Sequence, residues 1–468
     1  MAAGRKASAS GQVIVGHNED NRGELIMRHH YIPAGSGATK KMPFEKGSAN
    51  VPRTGPTLGF FWTETLRPAP GESFGDSFIN ETGLVVVSNN CFKSKEDAPD
   101  LTDGGIGWGL RRLVAERARS ARDAVSIASE LLLDFGYRGS GRSYTFADER
   151  EAWVFQAVNG RHFAARRVPD DHVMINPNHY SIRELNLDDP ENYLASPGLV
   201  EYALKRGWYS PTRPGRHDDF DFADAFLHPD YVMAPMNIAR CSFGFLEAAG
   251  VDIGSGARPP FSLRPAEPVT LSKVASTLAC HCERAHDLDE NGELRESPHE
   301  SGNFPEDSGA GEYVRICNGA NRESIIVELR EDPDETVVWS CFGSPCTLPM
   351  TPQHLGAKAI PTSFESVSAG DDGETPDAKH FTATSAEVGQ ATPEIWSAYR
   401  ALAGQFDADY SRRRKETASA MDDLRRAISA SHNEFESAFP HSREQFFSQA
   451  STQAGIVLDA IRNILKTA

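Results

Sequence analysis

The side chains most suited to chemistry gather at the end of a short apolar run. Gly11-Gln-Val-Ile-Val-Gly-His-Asn-Glu-Asp-Asn21 carries Val13 to Val15 and then His17, Asn18, Glu19 and Asp20 in a row. Four polar or charged residues closing an apolar strand cannot all be buried cheaply without partners. They either form a partnered site or make an ordinary surface turn. A second group, Cys280-His-Cys282 with His286, invites a metal reading. Its spacing is not the C-x2-C pairing of structural zinc. On a helix Cys280 and His281 point to different faces, while Cys282 and His286 share one. Asp287 to Glu293 resembles part of a calcium loop but lacks the ligand spacing and the closing bidentate glutamate. No metal is expected at either place. The glycines of Gly104-Gly-Ile-Gly-Trp-Gly109 come without the Walker lysine and serine and without GxGxxG spacing, which argues against phosphate binding.

The elements that must position such groups follow from composition and periodicity. A chain of 468 residues at 39% hydrophobic content can bury a substantial core and is long for one domain. Basic residues number 48 against 66 acidic, a net charge of −18. That balance argues against nucleic-acid binding, which needs a basic surface. The seven cysteines are irregularly spaced, so no disulfide framework is read and a reducing, cytoplasmic setting is the simpler account. No apolar run reaches the ~20 residues of a membrane span, and Met1-Ala-Ala-Gly-Arg-Lys has no signal-type apolar region, so no membrane association is expected.

Strands are expected at Val13–Val15, Leu58–Trp62, Leu84–Val87, Arg142–Asp148, Ala152–Val158 and His162–Val168, with Asn80-Glu-Thr-Gly83 and Asp148-Glu-Arg-Glu151 as turns. Asp103 can cap a helix carrying Leu110, Leu113, Val114 and Ala118, and the adjoining glycines permit close backbone approach. A second helix runs from Ala121 to Phe135 and stops at Gly136. Further helices are expected over Asn237–Gly250, which contains Arg240, and Leu271–His286. Strands follow at Val314–Cys317, Ser324–Leu329 and Thr336–Cys341, after an acidic loop from Asp287 to Gly311. The order of strands, two helices and more strands reads as an α+β layered fold with antiparallel sheets. Residues 1–365 form the main domain, 366–389 a polar link, and 390–468 a helical region with an apolar stripe at Ile395, Trp396, Tyr399, Leu402 and Phe406. That region would pack on the main domain or on a second subunit.

The stretch from Gly4 to Asn21 resembles the opening of family C69 dipeptidases, N-terminal-nucleophile hydrolases related to choloylglycine hydrolase and penicillin V acylase. Later segments carry the same resemblance: the turn at Asn80 with a strand ending Ser88-Asn89-Asn90-Cys91, the string Leu101 to Arg119, Cys317 to Leu329, and Gly343-Ser-Pro-Cys-Thr-Leu-Pro349. The resemblance implies a four-layer αββα sandwich, no cofactor, and a small peptide as substrate. In such hydrolases the side chain of the first residue attacks an amide carbonyl while its own α-amine, with an unperturbed pKa of about 7.7–8.0, takes the proton. A thiol suits the attack because a few per cent is thiolate at neutral pH. The oxyanion then needs fixed donors.

By this resemblance Asp20 orients the nucleophile's amine through a charged hydrogen bond, Asn18 braces it, and His17 stands where relatives often carry arginine. Asn89 or Asn90 supplies an oxyanion donor, Asn176 matches a second active-site asparagine, and Arg240 is a candidate pocket arginine. The family's nucleophilic cysteine lies six residues before the glycine that matches Gly4, three places ahead of Met1. Ser8 and Ser10 cannot replace it, since neither carries a free amine. Three accounts are open: a start assigned at an internal methionine, a truncation or mutation, and a family member that has lost catalysis and binds a ligand or partner.

Overall fold

The computed structural model describes residues 1–21, 25–35, 42–43, 47–52, 55–67, 72–75, 77–90, 93–231, 234–254, 258–281, 315–364 and 392–466. They fall into two compact units. The first comprises Met1–Val13, Ala34–Gly59 and Asp76–Val269; the second comprises Ile14–Pro33, Phe60–Gly75 and Thr270–Ala468. Both hold antiparallel sheet and helix, the α+β class expected. Among the described residues no helix is long and apolar enough to cross a membrane.

In the first unit the strands Tyr193–Ala195, Phe163–Val168, Ala152–Ala157, Arg142–Ala147, Val85–Asn90 and Ser77–Asn80 pair antiparallel in that order. Every residue of Arg142–Ala147 and Ala152–Ala157 is buried, so these strands need bulky residues on both faces, which Tyr144, Phe146, Trp153 and Phe155 supply. Asp148 makes the turn between them, its Oδ1 accepting from the amides of Arg150 (2.8 Å) and Glu151 (3.0 Å). Its Oδ2 accepts from the Ala121 amide at 2.7 Å and so ties the hairpin to the helix Ala121–Phe135. That helix is capped by Ser120 and closed at Gly136, where φ is 77°. Asn80 organises the other hairpin. Its Oδ1 accepts from the amides of Thr82 and Leu84, and its Nδ2 donates to Ala115 O and Ala118 O. Gly104 sits at φ 86° with a backbone so close to Gly47 that an added Cβ would lie 2.3 Å from the Gly47 oxygen. Asp103 does not cap the helix Leu110–Ala115, whose N-cap is Gly109; its carboxylate is six residues too early and accepts from the Asn50 amide instead. The last long helix of this unit spans Ala234–Ala249, starting earlier than expected.

In the second unit Ile14–Asp20, Asn321–Glu328, Val337–Cys341 and Thr351–His354 form one antiparallel array. A separate array joins Ile26–Ile32, Phe60–Arg67 and Glu72–Phe74. The first strand does not end at Val15. It runs through the polar quartet, with His17 and Glu19 buried, because the opposite strand and neighbouring loops partner those side chains. Arg315–Cys317 is irregular rather than a strand; its polar groups bond outward, Cys317 N to Cys280 O and Ile316 O to the Asn18 amide. Val314 lies outside the described residues, as do the acidic loop Asp287–Gly311 and the segment 366–389. The helix from Leu271 ends at Leu278, where Cys280 N turns back to Thr277 O. The C-terminal helices Glu394–Ala408, Tyr410–Glu436 and Arg443–Lys466 belong to this unit. Ile395, Trp396, Tyr399, Leu402 and Phe406 are buried, and the Tyr399 hydroxyl donates to Pro349 O at 2.6 Å.

Candidate active site

In the second unit the strand Ile14–Asp20 is pinned by its own side chains. Asn18 uses both ends of its amide: Nδ2 donates to Leu278 O (3.0 Å) and Ile316 O (3.2 Å), and Oδ1 accepts from Ser324 Oγ (2.7 Å). Asp20 Oδ2 accepts from Asn318 Nδ2 at 3.0 Å. Asn318 is itself held, its Oδ1 accepting from the Ala320 amide at 2.8 Å and its own amide donating to Asn321 Oδ1. Burial depresses the Arg322 guanidinium, Arg400 adds to this, and the nearby carboxylates of Asp20 and Asp407 oppose it. His17 Nε2 lies 3.9 Å from Glu19 Oε2, both side chains buried. The structure therefore brings Asn18 and Asp20 into one partnered cluster, supported by Ser324 and Asn318 from distant segments, whereas His17 pairs with Glu19 on the other face of the strand.

In the first unit Asn89 is in register with Ser143, and Asn90 with Arg142. Ser143 Oγ donates to Asn176 Oδ1 at 3.0 Å and accepts from Gln156 Nε2 at 3.1 Å. Gln156 also donates to Ser181 Oγ (3.0 Å), and its Oε1 accepts from the Ile182 amide (3.0 Å). With its oxygen held by Ser143, Asn176 keeps its amide nitrogen 3.4 Å from Thr145 Oγ1. Asn89 and Asn176 thus share one polar face of the sheet. Two buried cations stand at this strand: Arg142 Nε (2.8 Å) and Arg111 Nη1 (3.3 Å) both donate to Ser88 Oγ.

The chain start lies beside Asn176. Ala2–Ala3 pairs antiparallel with Val173–Met174, and burial pulls the Met1 α-amine down to about 5, partly offset by Cys241. Cys241 is no reactive thiol: burial pushes its pKa up, and its Sγ donates to Ile175 O at 3.7 Å. A cavity of about 200 Å³ opens next to this segment, lined by Pro177, His179, Tyr180, Asn237, Cys241 and Arg258 among others. His179 Nδ1 donates to Tyr180 O at 2.7 Å, and burial lowers its pKa, so the ring is neutral at pH 7 with Nε2 as its acceptor. Arg240 is buried on the helix Ala234–Ala249, one position from Cys241.

Sequence reading missed Ser143, Gln156 and the arginine pair on Ser88. The available signal was a polar residue inside strands otherwise made for full burial, Ser143 in RSYTFA and Gln156 in AWVFQA.

Peptidase family C69 matches residues 1–384. The chain belongs to that family. A probable dipeptidase of Salmonella dublin is 24% identical over 60% of this chain and 65% of its own length. A probable dipeptidase B of Lactococcus lactis subsp. lactis (strain IL1403) is 24% identical over 78% of this chain and 75% of its own. The match thus spans slightly under two thirds of the Salmonella relative and three quarters of the Lactococcus one. Among solved structures, penicillin V acylase from Agrobacterium tumefaciens aligns over 75% of this C69 chain and 84% of its own, at 11% identity and a TM-score of 0.38. A variant of conjugated bile acid hydrolase from Clostridium perfringens aligns over 76% and 92%, at 11% identity and a TM-score of 0.35. Likeness at that level places no side chain.

Proposed function

We propose that this C69 chain hydrolyses a small amide, a dipeptide first of all, with an N-terminal cysteine as nucleophile and no cofactor. The thiol sulfur bonds to the carbonyl carbon, the C–N bond breaks, and the leaving amine takes the proton that the thiol gave to the α-amine. Water then cleaves the thioester and releases the acid product. The single observation that carries this reading is the family match over residues 1–384.

The local geometry supports it. In the register of Ala2 with Met174, Met1 falls opposite Ile175, and residues added ahead of it would advance along Asn176, Pro177 and Asn178. A nucleophile three places upstream would therefore travel along the asparagine segment. Asn176, its oxygen turned to Ser143, offers its amide nitrogen as an oxyanion donor, and Asn89 on the same face is the second donor in preference to Asn90. Asp20 is the group to hold an ammonium and Asn18 the brace that fixes its strand; His17 and Arg240 are assigned to substrate contact.

The test is to extend the chain with the residues its coding sequence supplies upstream, so that the cysteine stands first. That protein should turn over dipeptides, and the same protein with alanine first should not. An in-frame stop with no cysteine upstream, or no turnover across a dipeptide panel, overturns the proposal. Dipeptide binding without turnover would make the chain a binding protein instead.

A further inference from the structure

The second unit holds a group of donors that the proposed reaction does not use. His281, Cys317 and Cys346 each present one ligand atom, and these atoms lie within 4.8 Å of one another. His281 and Cys317 are buried and Cys346 is half-buried. We propose that His281, Cys317 and Cys346 bind a thiophilic divalent cation of the zinc class and that the ion locks the loop holding Asn18 and Asp20.

The donor set selects the metal. Two thiolates and an imidazole are soft to borderline ligands, suited to zinc and its analogue cobalt(II) and unsuited to magnesium or calcium, which take oxygen donors. Tetrahedral zinc, with Zn–S of about 2.3 Å and Zn–N of about 2.0–2.1 Å, needs S···S near ~3.8 Å and S···N near ~3.6 Å. Contraction of about an ångström from the outer spacing brings the three atoms to those edges. Three protein donors fill three corners and leave a fourth for solvent. On coordination each thiol gives up its proton, so two protons are released per ion.

The backbone already positions the donors. Cys317 N donates to Cys280 O at 2.9 Å, setting His281 beside Cys317. Ser344 Oγ donates to Asn318 O at 3.4 Å, joining the turn that carries Cys346 to the residue after Cys317. The same loop supplies Ile316 O to Asn18 and Asn318 Nδ2 to Asp20. An ion on Cys317 would fix that loop at the residue between those two contacts. The other imidazole–carboxylate group, His354, His432 and Glu436, is a poorer cation site, since the Arg330 guanidinium stands 3.3 Å from the Glu436 carboxylate.

The full chain, reduced and stripped of metal, is titrated with cobalt(II) and then zinc. We expect one equivalent of cobalt to produce a sulfur-to-cobalt charge-transfer band with intense tetrahedral visible bands, zinc to abolish both, and the thermal midpoint to rise with zinc concentration. Cys317→Ser and Cys346→Ser should each lose the charge-transfer intensity, while Cys280→Ser keeps it. Should a serine variant fail to fold, X-ray absorption on the zinc-loaded unmodified chain reads the ligands directly, with two sulfurs and a histidine nitrogen expected. Absence of the band at one equivalent, a band that survives both Cys317→Ser and Cys346→Ser, or a Cys317–Cys346 disulfide that excludes metal overturns the proposal. These readouts need no turnover, so they stand or fall separately from the proposed hydrolysis.

Discussion

The two polar clusters are built from different materials. In the second unit the strand Ile14–Asp20 brings carboxylates and an imidazole into the interior, with Glu19 and His17 buried and Asp20 taking the Asn318 amide. In the first unit the hydrogen-bond partners described for Asn176 are neutral, the hydroxyls of Ser143 and Thr145, with the Gln156 amide on Ser143 behind them. A buried charge must be matched by fixed partners, and beside those charges Asn18 commits its whole amide to Leu278 O, Ile316 O and Ser324 Oγ. A neutral face needs fewer partners and can keep an amide nitrogen directed at a ligand. The contrast assigns bracing and charge to one cluster and hydrogen-bond donation to the other.

The sharpest way to break that contrast is Asn176→Ala in the cysteine-first protein. It should lower kcat about 10²- to 10³-fold, the usual loss for one oxyanion donor, with the fold retained. A change in KM alone would make Asn176 a binding residue and not a donor to the oxyanion. Next in size, Asn18→Ala leaves two carbonyls and the Ser324 hydroxyl without their partner. It should cost about 2–4 kcal/mol in urea unfolding. A loss below about 1 kcal/mol would mean that the strand is held by its backbone ladder alone.

A pH series separates the charged unit from the neutral face. Burial lowers His432 to about 4, and Glu436, held by His354, His432 and Arg330, is also depressed. Both groups bind protons more readily unfolded than folded; the His432 contribution is complete above about pH 6.5 and lost as pH falls toward 4, and that of Glu436 is lost only below the ordinary glutamate range. The urea midpoint should therefore drop over that window, and His432→Gln should flatten the drop. A midpoint that rises on acidification would contradict the assignment. The smallest effect belongs to Ser143→Ala, which frees the Asn176 oxygen and should cost about 1–2 kcal/mol and roughly tenfold in kcat. A neutral outcome in both would remove Ser143 from the positioning of Asn176.

Much of the first unit could be read directly from its residues. The strands Arg142–Ala147 and Ala152–Ala157 announce themselves because bulky residues fill both faces and Asp148 marks the turn. The Asn80 hairpin was equally plain, since Asn and Gly at those places supply the bonds and the positive φ a tight turn needs. The continuation of the first strand through His17–Asp20 was hidden. Its partners, Leu278 O, Ile316 O and Ser324, sit far along the chain, and spacing alone cannot report them. The same reason concealed His281, Cys317 and Cys346: adjacency drew attention to Cys280-His-Cys282, while the fold gathers cysteines from two later loops. Of the asparagines, Asn176 stood out through the family pattern, but its dependence on Ser143 needed the strand register.

The most direct test of the central claim is to mix the cysteine-first protein with a dipeptide, quench within the first turnover, and measure its intact mass. The account predicts an added acyl residue on the first cysteine that hydroxylamine removes, and no such adduct when alanine stands first. A folded, cysteine-first protein that neither gains the adduct nor releases amino acids would contradict it.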